Sequence, residues 1–534
     1  MTHPKLLAAM GRPEFYPHRP GAVEIVQTHI SFIFIAGNEV YKVKKAVDFG
    51  FLDFTTIEKR KFYCEEELRL NRRLAPETYL GVVPIAEDAT GALQMGEAGR
   101  IVDYAVWMKL LPRERMLGLL LAEGKVEPSI MDAIARKLTD FHRLAETGGR
   151  IDEIGGMETI RRNHEENFAQ TSDYLDVTIP RGRYDFIRAY VFDFLQREEP
   201  LLLRRAAEHR IRDCHGDLHL EHICITDGIT IFDCIEFNER FRFGDVAAEV
   251  AFLAMDLDYN GYPDWAEAFV AAYIRHAGDP DVRTLLNFYR CYYAYVRGKV
   301  VGFRIKDPAI GEKERQEAGE TAARYFDLAY TYAARPERPV LLLTAGLMGT
   351  GKSVLARGLA PRLGAEVIRT DVLRKELLEI DPTERRPEAF GQGIYSDEMS
   401  RRTYDRALEI AAEALGQERS VIIDASYKRR EERQQAFAAA QKLNADFFLL
   451  ECVCPEGMVE ERLVARQKES ADPSDGRWEI FLAQRTDFDP VKELPAEFHI
   501  VIDTARDPDA CMTEALSRIR GFKLEKEGNG KRAA

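Results

Sequence analysis

Three short runs near the start of the chain alternate apolar and polar positions with a period of two: Val23-Glu-Ile-Val-Gln27, Ile30-Ser-Phe-Ile-Phe-Ile35 and Val40-Tyr-Lys-Val-Lys44. β-Branched and aromatic residues dominate them, so they predict consecutive strands that turn one face to a core. The period then lengthens. A long helix is expected over about 55–74, strand-like sequence returns to about 110, and helical periodicity fills most of 128–206 and 262–334. The expectation is a small β-rich lobe over about 20–112 followed by a helical lobe over 113–335. Arg335-Pro-Glu-Arg-Pro339 then blocks helix continuation with two prolines, and a second domain is expected over 338–520.

Beyond Pro339 the pattern changes to buried apolar runs separated by helical segments, with strands expected at 340–344, 366–370, 420–423, 447–453 and 498–502 and a helix over Val354–Leu363. Strands alternating with helices predict a parallel α/β sheet. Polar, glycine-containing residues 521–534 predict a frayed tail.

A chain of 534 residues is too long for one core. Its 75 Lys+Arg against 89 Asp+Glu leave a net charge of −14, which argues against a nucleic-acid coat or an anionic-membrane binder. The longest apolar run, around Val340–Met348, is broken by Thr344 and Gly346 and falls short of the roughly 20 residues of a membrane span. Residues 1–20 hold no long apolar stretch with a cleavage site, so a cytoplasmic protein is expected. Eight cysteines are too sparse for a disulfide scaffold, and Cys452 with Cys454 reads as two residues on one strand face.

Gly346-Leu-Met-Gly349-Thr350-Gly351-Lys352-Ser353 fits G-x-x-x-x-G-K-[ST] between an expected strand and an expected helix. In such a loop the backbone N–H groups wrap the phosphates of ATP at a helix N-terminus, the lysine adds a point charge, and the serine hydroxyl ligates Mg²⁺. Downstream, Asp371 ends the next strand three residues before Arg374, a pairing suited to holding or deprotonating a substrate hydroxyl and binding substrate or phosphate; a helix N-cap is the plainer reading of Asp371. Asp424 closes the apolar run Val421-Ile-Ile, as a ligand to the water around Mg²⁺ would, with capping again the alternative. Arg462 and Arg466 lie four apart on one helix, either as a lid over transferring phosphates or as a solvated face with Glu460 and Glu461. Through GLMGTGKS, RTDVLRKEL, VIIDASYKRREER and ERLVARQ, residues 338–520 resemble the small P-loop kinases, the group of gluconate kinase-like and zeta-toxin-like phosphotransferases. That resemblance implies ATP-dependent phosphorylation of a small hydroxyl compound. An alternative, action on nucleic-acid ends, draws on the basic cluster Lys428-Arg429-Arg430 with Arg433. Against it stand the net acidity and the lack of interleaved aromatics.

A second constellation is His215-Gly-Asp217-Leu-His219-Leu-Glu-His222, followed by the strand-like Ile229-Thr-Ile-Phe-Asp233. A loop acid and a strand-end acid some sixteen residues on are how eukaryotic-like kinases hold a catalytic base and a metal ligand. Residues 20–300 resemble the aminoglycoside phosphotransferase family, whose loop reads H-G-D-x-x-x-x-N. The resemblance implies Asp217 as catalytic base, Asp233 as Mg²⁺ ligand, Gly244-Asp245 as an anchoring turn, and Lys42, paired with Glu67, on the nucleotide phosphates. Lys44, on the same strand face, competes with Lys42. Val106-Trp-Met108 is the expected hinge strand over adenine. The whole chain then reads as an α+β protein-kinase-like bilobal domain followed by an α/β P-loop domain, using ATP and Mg²⁺ on a small-molecule hydroxyl substrate, with no membrane, nucleic-acid or obligate protein partner.

Two departures qualify this. His222 stands where the family has its magnesium-binding Asn, although Mg²⁺ prefers oxygen, and only Gly37 lies where a glycine-rich loop is expected. A regulatory, catalytically weakened N-terminal module is therefore the alternative to a second kinase. Three histidines, His215, His219 and His222, also have spacings that zinc accepts, but Gly216 and Asp217 favour a loop in which His215 braces the backbone.

Overall fold

The period-two runs form strands β1 (Val23–Gln27), β2 (Ser31–Ala36) and β3 (Glu39–Lys44), joined by β4 (Tyr79–Glu87), β5 (Leu93–Met95) and β6 (Arg100–Lys109) in an antiparallel sheet ordered β1-β2-β3-β6-β4-β5. The computed structural model describes residues 4–307, 310–381, 392–465 and 478–521, and the backbone alone of 466 and 467. The expected tail beyond Gly521 lies outside the described residues. Phe32 lies opposite Val43, and Phe34 opposite Tyr41. These four pack with Met10, Tyr16, Ile85 and Ala105 into one core. Because successive side chains point to opposite faces, Lys42 and Lys44 share the other face. The helix Ile57–Asn71 starts where Thr56 accepts a hydrogen bond from the Lys59 N–H at 3.2 Å, and Glu67 lies among its buried residues.

Helices dominate the sequence after β6. Helix Ser129–Leu144 buries Met131, Ile134, Ala135, Leu138 and Phe141, the stripe expected of an amphipathic helix against a core. Two short ribbons flank the His215–His222 segment: β7 (Ile211–Asp213) precedes it, and β8 (Ile223–Ile225) and β9 (Ile229–Ile231) follow. β10 (Phe243–Asp245) pairs antiparallel with β7, and β8 pairs antiparallel with β9. Among the described residues no helix is long and apolar enough to cross a membrane.

After Pro339 come β11 (Val340–Ala345), β12 (Ala365–Arg369), β13 (Ser420–Asp424), β14 (Asp446–Val453) and β15 (His499–Asp503), one parallel sheet in the order β12-β13-β11-β14-β15. β11 and β13 are buried along their whole length, as strands covered on both faces must be. Chain contacts divide the molecule into two compact units, residues 1–170 with 194–296, and residues 171–193 with 297–534. The helix Glu312–Ala334 and the segment Arg335–Pro339 thus fall in the second unit's range. In that unit Arg183 bonds both carboxylate oxygens of Asp509 at 2.6 and 2.9 Å, and Arg362 bonds Asp327 at 2.9 Å, so these part-buried charges are paired.

Candidate active sites

In the second unit β11 ends at Ala345 and the chain turns through Gly346, Gly349 and Gly351, with φ of +121°, +77° and +87°. A Cβ on Gly346 would stand 2.5 Å from the Cys452 carbonyl oxygen, and one on Gly349 would stand 2.8 Å from Val459 Cγ1. Only glycine fits a backbone in that region at such close approach. Lys352 Nζ and Thr350 Oγ1 both donate to the Leu347 carbonyl, at 2.7 and 2.8 Å. The helix Lys352–Leu363 starts at Gly351 without a side-chain cap, and Ser353 occupies its first turn. Such a helix end is a seat for an anion.

The loop is braced from behind. Thr504, just past β15, donates from Oγ1 to the Thr350 carbonyl at 2.7 Å, and Arg462 donates to the Thr504 carbonyl at 2.7 Å and to Thr504 Oγ1 at 3.2 Å. Arg462 here holds the brace. The side chain of Arg466 lies outside the described residues.

Asp424 is buried at the end of β13, where Oδ1 accepts from Thr344 Oγ1 at 3.3 Å and Arg369 Nε lies 3.8 Å from Oδ2. It caps no helix, since the next one, Arg430–Lys442, starts after Arg429. Asp371 lies in the first turn of the helix Thr370–Glu376, whose N-cap position Arg369 makes no side-chain cap bond. Its side chain is 37% exposed and 3.6 Å from the Arg374 guanidinium, which is buried and lies 4.8 Å over the Tyr395 ring. Sequence reading passed over Glu432. Burial pushes its carboxyl up to about 7 against the pull of Lys428 and Arg429, and its buried Oε2 has no hydrogen-bond partner. Nothing in the run Glu431-Glu432 distinguishes the two; only burial does. The basic cluster turns inward to acids: Lys428 and Arg429 bond Asp487 at 2.6 and 2.8 Å, and the fully buried Arg433 pairs with Glu493.

In the first unit Lys42 Nζ lies 2.7 Å from Asp233 Oδ1 and 2.9 Å from Glu67 Oε1. Lys44 Nζ lies 2.7 Å from Glu67 Oε2 and also bonds Glu236, entirely buried. Lys42 is therefore the lysine that joins the helix acid to the strand-end acid, while Lys44 is sealed beneath it. Trp107 donates from Nε1 to Glu39 at 2.9 Å, and Val106 is fully buried.

The Asp217 loop is set by acids on the helix Val246–Tyr259 that sequence reading did not single out. Glu249 Oε1 accepts from the N–H groups of His215 and Gly216 at 2.7 and 2.8 Å, and Asp256 Oδ2 accepts from the Leu220 N–H at 2.9 Å. An acid inside an otherwise apolar helix was the available signal. Asp245 acts one step away: it caps that helix through the Ala247 N–H at 2.8 Å and pairs with buried Arg205 at 2.7 Å. His215 donates from Nε2 to the Phe232 carbonyl at 2.9 Å, tying the loop to the segment that carries Asp233.

His222 stands between the two acids. Its Nδ1 is 3.5 Å from Asp217 Oδ2 and its Nε2 is 3.6 Å from Asp233 Oδ2, while His219 Nε2 is 3.6 Å from Asp217 Oδ2. Burial raises the Asp217 carboxyl, but His219 and His222 outweigh it and bring it down to about 2. Burial likewise works against the Asp233 charge, and Lys42 and His222 overcome it, so that carboxyl lies below its ordinary value. Burial and neighbouring His219 hold His222 low. The donor set of two carboxylates and imidazoles fits Mg²⁺ poorly, because that ion prefers oxygen throughout. The glycine cradle, Lys352, Ser353 and Asp424 of the second unit suit a magnesium nucleotide.

A family model described as the phosphotransferase enzyme family matches residues 38–286, and one described as an AAA domain matches residues 341–491. Uncharacterised proteins of Mycobacterium tuberculosis and Mycobacterium bovis are each 32% identical to this chain over 468 residues, 88% of this chain and 91% of theirs. The chain belongs to their family. It joins a kinase-like phosphotransferase domain to a P-loop kinase domain. Among solved structures, a choline/ethanolamine kinase family protein from Mesorhizobium loti is 13% identical with a TM-score of 0.36, covering 62% of this chain and 99% of that one. A gluconokinase from Sinorhizobium meliloti is 18% identical with a TM-score of 0.26, covering 35% of this chain and 94% of that one.

Proposed function

We propose that the second unit is an ATP-dependent kinase for a hydroxyl group of a small molecule, and that the first unit is a second nucleotide-binding kinase module. The observation that carries this is the P-loop with Lys352 and Ser353 in a chain that also presents Asp371, uncapped and part-exposed, beside Arg374. Lys352 and the loop N–H groups would hold the donor phosphates, with Ser353 and Asp424 for Mg²⁺. Mg²⁺, when bound, neutralises charge on the transferring group. Asp371 takes the acceptor hydroxyl proton. The acceptor oxygen bonds to the terminal phosphorus as the bond to the departing ADP oxygen breaks. Pairing of Lys428, Arg429 and Arg433 with Asp487 and Glu493 supports a small acceptor over a nucleic-acid end. Eight thiols without a disulfide suit a reducing compartment such as the cytoplasm.

The test follows label from γ-labelled ATP into a pool of hydroxylated metabolites and aminoglycosides, comparing the wild-type chain with Lys352→Ala. Loss of all transfer in Lys352→Ala would place the chemistry in the second unit alone and favour a regulatory first unit; loss for some acceptors in Lys352→Ala and for others in Asp217→Asn supports the reading. Full transfer in Lys352→Ala and its loss in Asp217→Asn would overturn it and assign the chemistry to the first unit. A second reading, in which the first unit regulates, is favoured by one observation, the His222 ring between Asp217 and Asp233. Phosphate transfer by a Lys352→Ala chain would rule it out.

A further inference from the structure

We infer that the first unit holds a divalent transition-series cation, Mn²⁺, Co²⁺ or Zn²⁺, between His222 and Asp233, in preference to Mg²⁺. This goes beyond the acceptor reading above and does not depend on it. His222 Nδ1 lies 2.9 Å from the backbone carbonyl oxygen of Asp217, a group that only accepts, so Nδ1 carries the ring proton. Its other nitrogen, Nε2, faces Asp233 Oδ2 at 3.6 Å. Nε2 is therefore the nitrogen that can ligate, giving up any proton it carries when a cation enters between it and the carboxylate. Lys42 does not fill that place, being bound to the other oxygen of Asp233 and to Glu67, at 2.7 and 2.9 Å.

The spacing suits a metal. Donors at about 2.0–2.2 Å from one ion lie roughly 2.8–3.1 Å apart at octahedral angles and 3.3–3.6 Å apart at tetrahedral ones, so 3.6 Å stands at the upper end of that range. Asp217, His219 and His222 form a neighbouring cluster, with one ligand atom of each within 4.8 Å of the others. The orienting contacts of a metal-binding imidazole are also present. The Nδ1–H bond to a backbone carbonyl fixes tautomer and ring orientation, and the His219 ring centroid lies 3.9 Å from that of His222. Asp233 is set by a left-handed backbone, φ +62°, with its N–H donating to Tyr79 Oη at 3.1 Å. Imidazole at the position of the family's Asn selects ions that accept nitrogen over Mg²⁺, which holds its water and its oxygen ligands.

The experiment uses the full-length, nucleotide-free chain. Mn²⁺ is titrated by electron paramagnetic resonance with echo-envelope detection of coupled nitrogen, Co²⁺ by visible absorption, and each is competed with Mg²⁺. The wild-type chain is expected to bind Mn²⁺ with nitrogen coupling and to require about a hundredfold more Mg²⁺ to displace it. His222→Asn should remove the coupling, weaken Mn²⁺ and Co²⁺ by about 10- to 100-fold, and narrow the preference over Mg²⁺. Asp233→Asn is the second variant, with the same weakening expected, and melting curves check that each variant folds. Wild-type chain that binds Mg²⁺ as tightly as Mn²⁺, or that shows no nitrogen coupling, overturns the proposal. So does a nitrogen signal and Co²⁺ spectrum unchanged in His222→Asn.

Discussion

Two lysines separated by one residue on β3 have different work because of what each meets. Lys44 is wholly buried between Glu67 and Glu236, whereas Lys42 reaches Glu67 and the part-exposed Asp233. Burial opposes both charges, yet the carboxylates outweigh it and hold both ammonium groups above their ordinary value. Lys44→Met would leave buried Glu236 without its cation and Glu67 with Lys42 alone, and a loss of about 3–5 kcal/mol in urea unfolding is expected. Lys42→Met leaves Glu67 still paired and Asp233 in contact with solvent, so it should cost clearly less stability and weaken nucleotide binding instead. Equal unfolding free energies for the two variants would mean that the burial difference does not matter. Glu432 gives a pH signature. Its carboxyl is raised to about 7 in the fold from an ordinary 4.5, so between those values the unfolded chain ionises while the folded chain keeps the proton. Stability from this group therefore falls as pH rises from 4.5 to 7 and is level on either side. Glu432→Gln should remove that slope, gaining on the wild type by up to roughly 3 kcal/mol across the window at 1.36 kcal/mol per unit. A gain independent of pH would show that the carboxyl titrates normally.

At the scale of elements, the P-loop is held by parts distant in sequence. Thr504 after β15 and Arg462 on the helix Glu456–Gln467 meet behind Thr350. Thr504→Val keeps the shape but removes the donor to the Thr350 carbonyl, and ATP affinity should fall about 5- to 10-fold, the worth of one hydrogen bond. An unchanged Kd by calorimetry would show that the loop is rigid without its brace. The glycines of that loop were legible in the sequence, because spacing and flanking periodicity announce them. The brace was not, since Arg462 and Arg466 show the same i,i+4 pattern whether they cover phosphates or not, and only the fold turns Arg462 to Thr504. The same limit applies to the Asp217 loop: H-G-D is a local signal, but Glu249 and Asp256 act from a helix more than thirty residues later. Strand alternation placed Lys42 and Lys44 on one face and stopped there. Separating them required Glu236, 192 residues from Lys44.

For the whole molecule, the change from period-two runs and amphipathic helices to buried strands with intervening helices announced an α+β unit followed by a parallel α/β unit. Which segments pack into which unit was harder to read. Residues 171–193 belong with the P-loop unit because of long-range pairs such as Arg183 with Asp509, which no periodicity encodes. Under the proposed function each unit brings its own lysine to donor phosphates: Lys42 beside Asp233 and Glu67 in one, Lys352 after the glycine cradle in the other. Two nucleotides per chain are therefore expected in equilibrium dialysis with a non-hydrolysable ATP analogue. Lys352→Ala should leave one, Lys42→Ala should leave the other, and the double variant should bind none, because substitutions that share no partner act independently. The metal requirement should divide along the same line. With Mg²⁺ alone the nucleotide retained by Lys42→Ala should bind fully, while the one retained by Lys352→Ala should tighten when Mn²⁺ replaces Mg²⁺, since imidazole lies among the donors of that unit only. A single nucleotide in the wild-type chain, abolished by Lys352→Ala, would make the first unit a fold that has kept its ion pairs and given up its ligand.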